Sequence, residues 1–164
     1  MRLALVSDTH LPRGARRVPD ACVRHLRSAD LILHAGDFSA VEVLDWLEGL
    51  GPPVAAVHGN VDSAALRDRV PERRVVDAGG ARIGMVHDAG PAKGRLDRMR
   101  RAFPQADAVV FGHSHIPLHE TATDGFQIFN PGSPTDRRRQ PVHTMGLATV
   151  TSGRVRFELL ALES

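Results

Sequence analysis

A carboxylate and an imidazole stand two residues apart near the amino terminus, directly after an apolar run. Leu3-Ala4-Leu5-Val6 has the continuous hydrophobicity of a strand buried on both faces, so Asp8 and His10 fall where a loop opens. Residues i and i+2 of extended backbone point the same way, and a carboxylate with an imidazole can hold one cation. A turn Asp and a surface His would share this spacing, so the pair gains weight only if the pattern recurs.

The pattern does recur, because later apolar runs are also followed by side chains of metal-ligand type. In chain order these side chains are Asp37, Asn60, His87, His113 and His115. With Asp8 and His10 they make seven candidate ligands, too many for one cation. Two octahedral ions that share a bridging carboxylate and a bridging water would use them all, and Asp37 is the expected bridge. Glycine at positions 36, 59 and 112 suits a backbone that turns sharply beside a crowded site.

Length and composition favour one domain over residues 1–164. The net charge is +2 and no long basic block occurs, which disfavours nonspecific nucleic-acid binding. A single cysteine, Cys22, excludes an intramolecular disulfide and a cysteine-based zinc site, and we expect it in the core. No apolar run is long enough for a signal-peptide core or a membrane span, so we expect a cytoplasmic protein.

The first sixty residues alternate between strand and helix patterns. Asp20 is the expected cap of one helix, and Gly51-Pro52-Pro53 ends a second. A βαβαβ arrangement with short connections implies parallel strands whose carboxyl ends lie along one sheet edge, where the candidate ligands converge. Farther on, Gly79-Gly80 predicts a hairpin, a helix ends at Pro104, and the chain beyond residue 115 is expected to be antiparallel.

Five motifs stand in the order and spacing of a known family. They are Asp8-x-His10, Gly36-Asp37, Gly59-Asn60, His87 and Gly112-His113-x-His115. The series resembles the calcineurin-like metallophosphoesterase superfamily, and the match spans nearly the whole chain. The short length, the Gly-Asn-x-Asp form at 59–62 and the Asn-Pro-Gly-Ser element at 130–133 resemble its small bacterial and archaeal phosphodiesterase branch.

This resemblance implies an α/β fold of mixed α+β character, with two mostly mixed sheets flanked by helices in four layers, α-β-β-α. It implies a phosphodiesterase that hydrolyses a small phosphate ester with a hydroxide bridging two divalent ions. We expect Mn²⁺, with Ni²⁺, Fe²⁺, Zn²⁺ and Mg²⁺ as alternatives. By matching positions the resemblance assigns the ligands: Asp8, His10 and His115 to the first ion, Asn60, His87 and His113 to the second, and Asp37 to both.

Two of these ligands are also expected to be catalytic. Asp37 is the bridge, and the Asn60 amide can donate a hydrogen bond to a phosphoryl oxygen. His34, His58 and Asp62 are expected to orient the ligands from behind rather than to bind metal.

The chain departs from the family at two positions. Many members carry His after the Gly-Asn pair, where this chain has Val61, which cannot donate a proton to a leaving group. Related small phosphodiesterases often have His-Gly-His where this chain has His87-Asp88-Ala89, so the ligand is kept but a substrate contact is not.

Two other functions remain open. One is a non-catalytic interaction scaffold with this fold, as in a retromer subunit of the superfamily, which the complete ligand set disfavours. The other is a nuclease acting on nucleic-acid ends, which the lack of a basic cleft or extra domain disfavours. Arg137, Arg138 and Arg139 would steer a phosphate only if the preceding loop folds over the site. No membrane partner is expected, and homo-oligomerisation is left open.

Overall fold

The computed structural model describes residues 1–163, and most of its strands and helices lie where the sequence predicted them. In chain order they are β1 (Arg2–Val6), α1 (Asp20–Ser28), β2 (Leu31–His34), α2 (Val41–Glu48), β3 (Val54–Ala56), α3 (Ala64–Arg69), β4 (Arg73–Ala78), β5 (Ala81–Val86), α4 (Arg95–Ala102), β6 (Ala108–Val110), β7 (Leu118–Thr121), β8 (Gln127–Asn130), β9 (His143–Thr151) and β10 (Arg154–Leu162).

Two local predictions about the helices were incomplete or wrong. Asp20 is the first residue of α1 rather than its cap, and Pro19 holds the N-cap position without a side-chain hydrogen bond. The sequence reading also missed α3, a six-residue helix with one buried residue, Leu66. Its signal was Ser63, whose side chain accepts a hydrogen bond from the Leu66 N–H as an N-cap does.

The strands form two five-stranded sheets, with orders β10-β9-β1-β2-β3 and β4-β5-β6-β8-β7. As predicted, β1, β2 and β3 are parallel. The β7–β8 and β9–β10 hairpins are antiparallel, as expected for the last third of the chain. The expectation was wrong for the pairing of β8 with β6, which is parallel and aligns Val109 with Ile128.

The cores explain the layering. Leu3 and Leu5 of β1 belong to a buried cluster shared by both sheets, whereas Ala4 and Val6 pack with the helices that cover the first sheet. Met99 and Phe103 at the end of α4 pack against the outer face of the second sheet. The layers are therefore helix, sheet, sheet, helix, which confirms the predicted four-layer fold.

Cys22 lies in the helix-covered core, as expected. Burial raises the pKa of its thiol to about 12, so it is inert at neutral pH. Within residues 1–163, none of the helices has the length and apolar character needed to cross a membrane.

Candidate metal centre

The carboxylate of Asp8 is fully buried just past β1, and its two oxygens have different surroundings. Oδ2 accepts hydrogen bonds from the Ser7 hydroxyl at 2.8 Å and from the His113 backbone N–H at 3.0 Å. Oδ1 is buried without a hydrogen-bond partner. Because an unpaired buried oxygen of an ionised carboxylate is costly, Oδ1 is where a cation would be stabilising.

Three imidazole nitrogens surround Asp8 Oδ1. The Nε2 atoms of His115, His10 and His87 lie 3.5, 3.8 and 3.8 Å from it. For metal bonds of about 2.1 Å, adjacent ligand atoms of an octahedron are about 3.0 Å apart and opposite ones about 4.2 Å. The observed separations fall between these values, so the donor atoms fit a divalent ion.

The two buried histidines among the candidate ligands, His87 and His115, have Nδ1 turned to a backbone carbonyl, as a metal ligand needs. Nδ1 of His87 lies 2.7 Å from the Ala35 carbonyl oxygen, and Nδ1 of His115 lies 2.6 Å from the Asp136 carbonyl oxygen. A carbonyl only accepts, so each Nδ1 carries a proton, and in the neutral ring that binds a metal each Nε2 presents its lone pair. His87 Nε2 is itself buried without a hydrogen-bond partner.

Asp37 lies just past β2, between histidines from different parts of the site. Its Oδ2 is 3.1 Å from His87 Nε2 and 3.6 Å from His10 Nε2, and its Oδ1 accepts the Val61 N–H at 3.2 Å. Burial acts to raise the pKa of Asp37, but the contacts with His87, the Val61 N–H and His10 together outweigh it and hold the pKa below its ordinary value. The carboxylate therefore stays charged where a bridge is predicted.

Six of the seven candidate ligands fall into two groups, in each of which the ligand atoms lie within 4.8 Å of one another. The first group is Asp8, His10 and His115, and the second group is Asp37, His87 and His113. His10 Nε2 is 3.2 Å from His115 Nε2, a spacing that suits two nitrogens sharing one ion. The grouping matches the division into two ions that the family resemblance implied.

The seventh candidate, Asn60, is exposed and lines a cavity of about 410 Å³ beside the second group. His87, Asp88 and His113 line the same cavity. The sequence analysis missed Arg67, whose guanidinium donates to the carbonyls of Asp62, Gly59 and Asn60 at 3.0, 3.3 and 3.1 Å. Arg67 thus braces the turn that carries Asn60.

Five of the candidate ligands have a left-handed backbone, with φ between +44° and +75°. They are Asp8, His10, Asp37, His113 and His115. Residues other than glycine rarely adopt this conformation, and it concentrates at functional sites. The sequence pattern did not predict it, because the conformation depends on contacts from distant loops.

The three glycines noted in the sequence allow their backbone to lie close to candidate ligands or to the residues that contact them. A Cβ on Gly36, which has φ +100°, would lie 2.7 Å from His87 Nδ1 and 2.9 Å from the Gly59 nitrogen. A Cβ on Gly59 would overlap the Asp37 carboxylate, and one on Gly112 would overlap Ser7 Oγ. A side chain at any of these positions would displace a candidate ligand or its immediate support.

His34 supports the ligand loops from behind. Its Nδ1 accepts the Gly36 N–H at 3.1 Å, so the protonated Nε2 donates to Thr9 Oγ1, also at 3.1 Å. The ring stacks on Phe38 with centroids 3.5 Å apart. Burial lowers the pKa of His34 to about 3, which keeps the ring neutral.

Asp62 connects the loops after β2 and β3. It accepts backbone N–H groups of Gly59 at 2.7 Å, Ser39 at 2.9 Å and Asp37 at 3.0 Å. Burial nevertheless raises its pKa. His58 is half-buried and lines the cavity, and its role in orienting ligands stays a prediction.

The loop after β8 is a support that the sequence analysis described only as a motif. Ser133 Oγ donates to the Asp8 carbonyl at 2.8 Å, and Thr135 Oγ1 donates to the Thr9 carbonyl at 2.6 Å. The Asn130 amide donates to the Gly112 carbonyl at 3.1 Å. Polar side chains beside Pro131 and Gly132 were the available signal. The carbonyl groups that accept these hydrogen bonds could not be predicted from local sequence, because the acceptor of the Ser133 bond lies more than a hundred residues away along the chain.

The three consecutive arginines follow this loop and are exposed. Arg137 donates to the Gln140 carbonyl at 2.6 Å, which turns it back on its own loop. Burial lowers the pKa of His115, and the positive charge of Arg138 acts in the same direction.

Comparisons with known proteins point to one family. The family model described as calcineurin-like phosphoesterase superfamily domain matches residues 1–153. A probable metallophosphoesterase from Methanothermobacter thermautotrophicus is 34% identical over 137 residues, which cover 82% of this chain and 78% of that protein.

Two solved structures show the same fold. That of Vacuolar Protein Sorting 29 from Cryptosporidium parvum has a TM-score of 0.85 at 23% identity and covers 99% of this chain and 92% of its own. That of a protein described as a novel archaeal phosphodiesterase has a TM-score of 0.69 at 21% identity and covers 98% of this chain and 100% of its own.

Proposed function

Because the chain belongs to the calcineurin-like phosphoesterase superfamily, we propose that it is a metal-dependent phosphodiesterase that hydrolyses small phosphate diesters. The observation that carries the proposal is the buried Asp8 Oδ1, which has no hydrogen-bond partner and is surrounded by three imidazole Nε2 atoms. A protein without a cation at this point would leave that oxygen unsatisfied.

The proposed ligands follow the two groups. Asp8, His10 and His115 would hold one ion, and His87 and His113 with Asn60 the other, with Asp37 between them. Two bound divalent ions would lower the pKa of a shared water toward neutrality and neutralise the charge that develops on the phosphoryl oxygens. Mn²⁺ is the expected metal.

The remaining steps fall to the chain's own side chains. Asp37 would contribute negative charge between the two ions, and its Oδ1 accepts the Val61 N–H at 3.2 Å. The amide of Asn60 would donate to a phosphoryl oxygen, which a carboxylate at that position could not do. Val61 offers no proton, so we expect the favoured substrates to have a leaving oxygen that departs with little protonation.

The charges around the cavity favour a diester over a monoester. Its lining includes two carboxylates, Glu72 and Asp88, and one guanidinium, Arg67. A monoester carries close to two negative charges at neutral pH and a diester carries one, so these carboxylates oppose a monoester more strongly, against the attraction that two bound ions would exert on either ester. The similarity in fold to a described archaeal phosphodiesterase agrees with this preference.

The test is hydrolysis by metal-stripped protein reloaded with Mn²⁺. We expect a higher kcat/KM for bis(4-nitrophenyl) phosphate than for 4-nitrophenyl phosphate, and no turnover of either before reloading. Asp8→Ala should abolish turnover, whereas Asp68→Ala, on the exposed face of α3, should not. Faster monoester hydrolysis would refute the diesterase proposal. Two bound ions without turnover would favour the interaction scaffold, and cleavage confined to nucleic-acid ends would favour the nuclease.

A further inference from the structure

We infer that the ion pair between Arg16 and Asp136 is a positioning device for the first group, fixing the backbone of His10 and the imidazole of His115. The inference rests on the proposed function in one respect: it takes the first group to be a metal site. Arg16 lies in the segment between β1 and α1, and Asp136 lies in the loop after β8. Neither residue is a candidate ligand.

Arg16 contacts both sides of the first group. Its Nη2 is 3.3 Å from Asp136 Oδ2, and its Nη1 donates to the His10 carbonyl at 3.4 Å. The two charged side chains are only 19% and 22% exposed, so this pair is more shielded from water than a typical surface ion pair. One guanidinium therefore joins the loop of His10 to the loop that holds His115.

Asp136 makes the connection to His115 through its main chain. Its carbonyl accepts the His115 Nδ1–H at 2.6 Å, and its N–H donates to Ser133 Oγ at 2.8 Å. Ser133 Oγ in turn donates to the Asp8 carbonyl. All three members of the first group are thus tied to one segment, which the carboxylate of Asp136 anchors to Arg16.

His10 is the member that most needs such support. Within residues 1–163, no hydrogen bond is made at His10 Nδ1, in contrast to the carbonyl contacts that orient His87 and His115. Its backbone has φ +44°, a conformation that needs external contacts to persist. Besides the Arg16 contact, the main chain of His10 is held by its own N–H to the Asp37 carbonyl at 3.0 Å. Arg16 therefore provides one of the two hydrogen bonds to the main chain of His10 in the described part of the chain.

Loss of this ion pair should weaken metal binding without lowering the melting temperature, whereas loss of an ion pair that only stabilises the fold should lower the melting temperature. Arg16→Met and Asp136→Asn both break the Arg16–Asp136 pair, and Asp136→Asn leaves the carbonyl that orients His115 in place. The matched control is Arg17→Met, because Arg17 is the next residue, is 77% exposed and pairs with Asp20 at 3.8 Å. Far-UV circular dichroism and thermal unfolding of metal-free protein should show all variants folded, with similar melting temperatures.

The experiment is calorimetric titration of metal-stripped full-length protein with Mn²⁺. Each of Arg16→Met and Asp136→Asn should weaken one of two Mn²⁺ sites about tenfold, the lower end of the loss seen when groups supporting a ligand are removed. Because the two residues act through one contact, the double variant should lose about tenfold rather than about a hundredfold. Anomalous diffraction from Mn²⁺-soaked crystals should locate the weakened ion at the first group. Arg17→Met should bind both ions as the wild type does.

The outcomes separate this inference from the proposed function. Wild-type protein that binds fewer than two Mn²⁺ would refute the proposed metal centre. If the wild type binds two Mn²⁺, three results would refute the inference but not the proposed function. They are unchanged Mn²⁺ affinity in both variants, additive losses of affinity in the double variant, or weakening of the ion at the second group. A measurement on metal-free protein tests the inference independently of metal binding. Relative to wild type, the imidazole NMR signals of His10 and His115 should shift in both variants, whereas those of His87 should not. Unshifted signals would overturn the inference.

Discussion

Replacing Asp62 by alanine should destabilise the protein more than any change at an exposed carboxylate. The side chain accepts three backbone N–H groups, from Gly59 at 2.7 Å, Ser39 at 2.9 Å and Asp37 at 3.0 Å, and is 5% exposed. Alanine leaves all three donors without their acceptor. At about 1.5 kcal/mol for each donor the loss is about 4.5 kcal/mol.

Part of this loss in the free energy of unfolding is offset, because alanine also removes a buried charge. Burial raises the pKa of Asp62, which shows that ionising this carboxyl in the fold has a cost that three hydrogen bonds do not fully offset. We therefore expect a net loss of about 3 kcal/mol in the free energy of unfolding, roughly 6 to 12 °C in melting temperature for a domain of this size.

The assay is urea and thermal unfolding of metal-free protein, since bound metal would add its own stabilisation. Asp68→Ala is the control, because Asp68 lies six residues farther along the chain, on α3, and is exposed. A loss for Asp62→Ala within about 1 kcal/mol of the control would refute the reasoning that the three N–H contacts hold the two ligand loops together.

Three further predictions concern the site. Asp37→Asn removes negative charge from between two cations, so both Mn²⁺ affinity and rate should fall, whereas excess Mn²⁺ should partly rescue His10→Ala; equal rescue would mean that Asp37 is not the bridge. With valine at position 61, hydrolysis of aryl phosphodiesters should slow steeply as the pKa of the leaving phenol rises; a flat dependence under rate-limiting chemistry would reveal another proton donor. Gly112→Ala forces a methyl group into the loop after β1 and should cost about 2 kcal/mol or more in thermal unfolding, whereas Gly49→Ala should be nearly neutral, and equal effects would contradict the crowding argument.

The sequence predicted the features that depend on local pattern. Apolar runs such as Leu31-Ile32-Leu33 are buried on both faces, and their short connections enforce the parallel order of β1, β2 and β3. That order is sufficient to bring the loops containing Asp8 and Asp37 side by side, where the Asp8 N–H donates to the Gly36 carbonyl at 2.9 Å. Convergence of the candidate ligands follows from topology and needs no knowledge of side-chain contacts.

Pairings and supports that cross long stretches of chain were not predictable in the same way. Nothing in Gln127–Asn130 distinguishes a strand that pairs parallel with β6 from one that pairs only within its hairpin. Arg16 stands in an irregular arginine-rich segment and looks like a solvated charge until Asp136 is placed beside it. In both cases the partner lies outside any window in which periodicity can be measured.

The left-handed backbone conformation of the ligands could not be predicted from local sequence either. It explains why the ligand loops are held by hydrogen bonds from other parts of the chain. Each residue held at positive φ costs on the order of 1 kcal/mol or more, so five such ligands together take up several kcal/mol of a folding free energy of roughly 5 to 15 kcal/mol. Asp62 accepts hydrogen bonds from the backbone of these loops, and Ser133 and Asn130 donate hydrogen bonds to the backbone of the same loops or of their immediate neighbours. These contacts, rather than the strand pattern that delivers the ligands to the sheet edge, stabilise the geometry that a pair of metal ions requires.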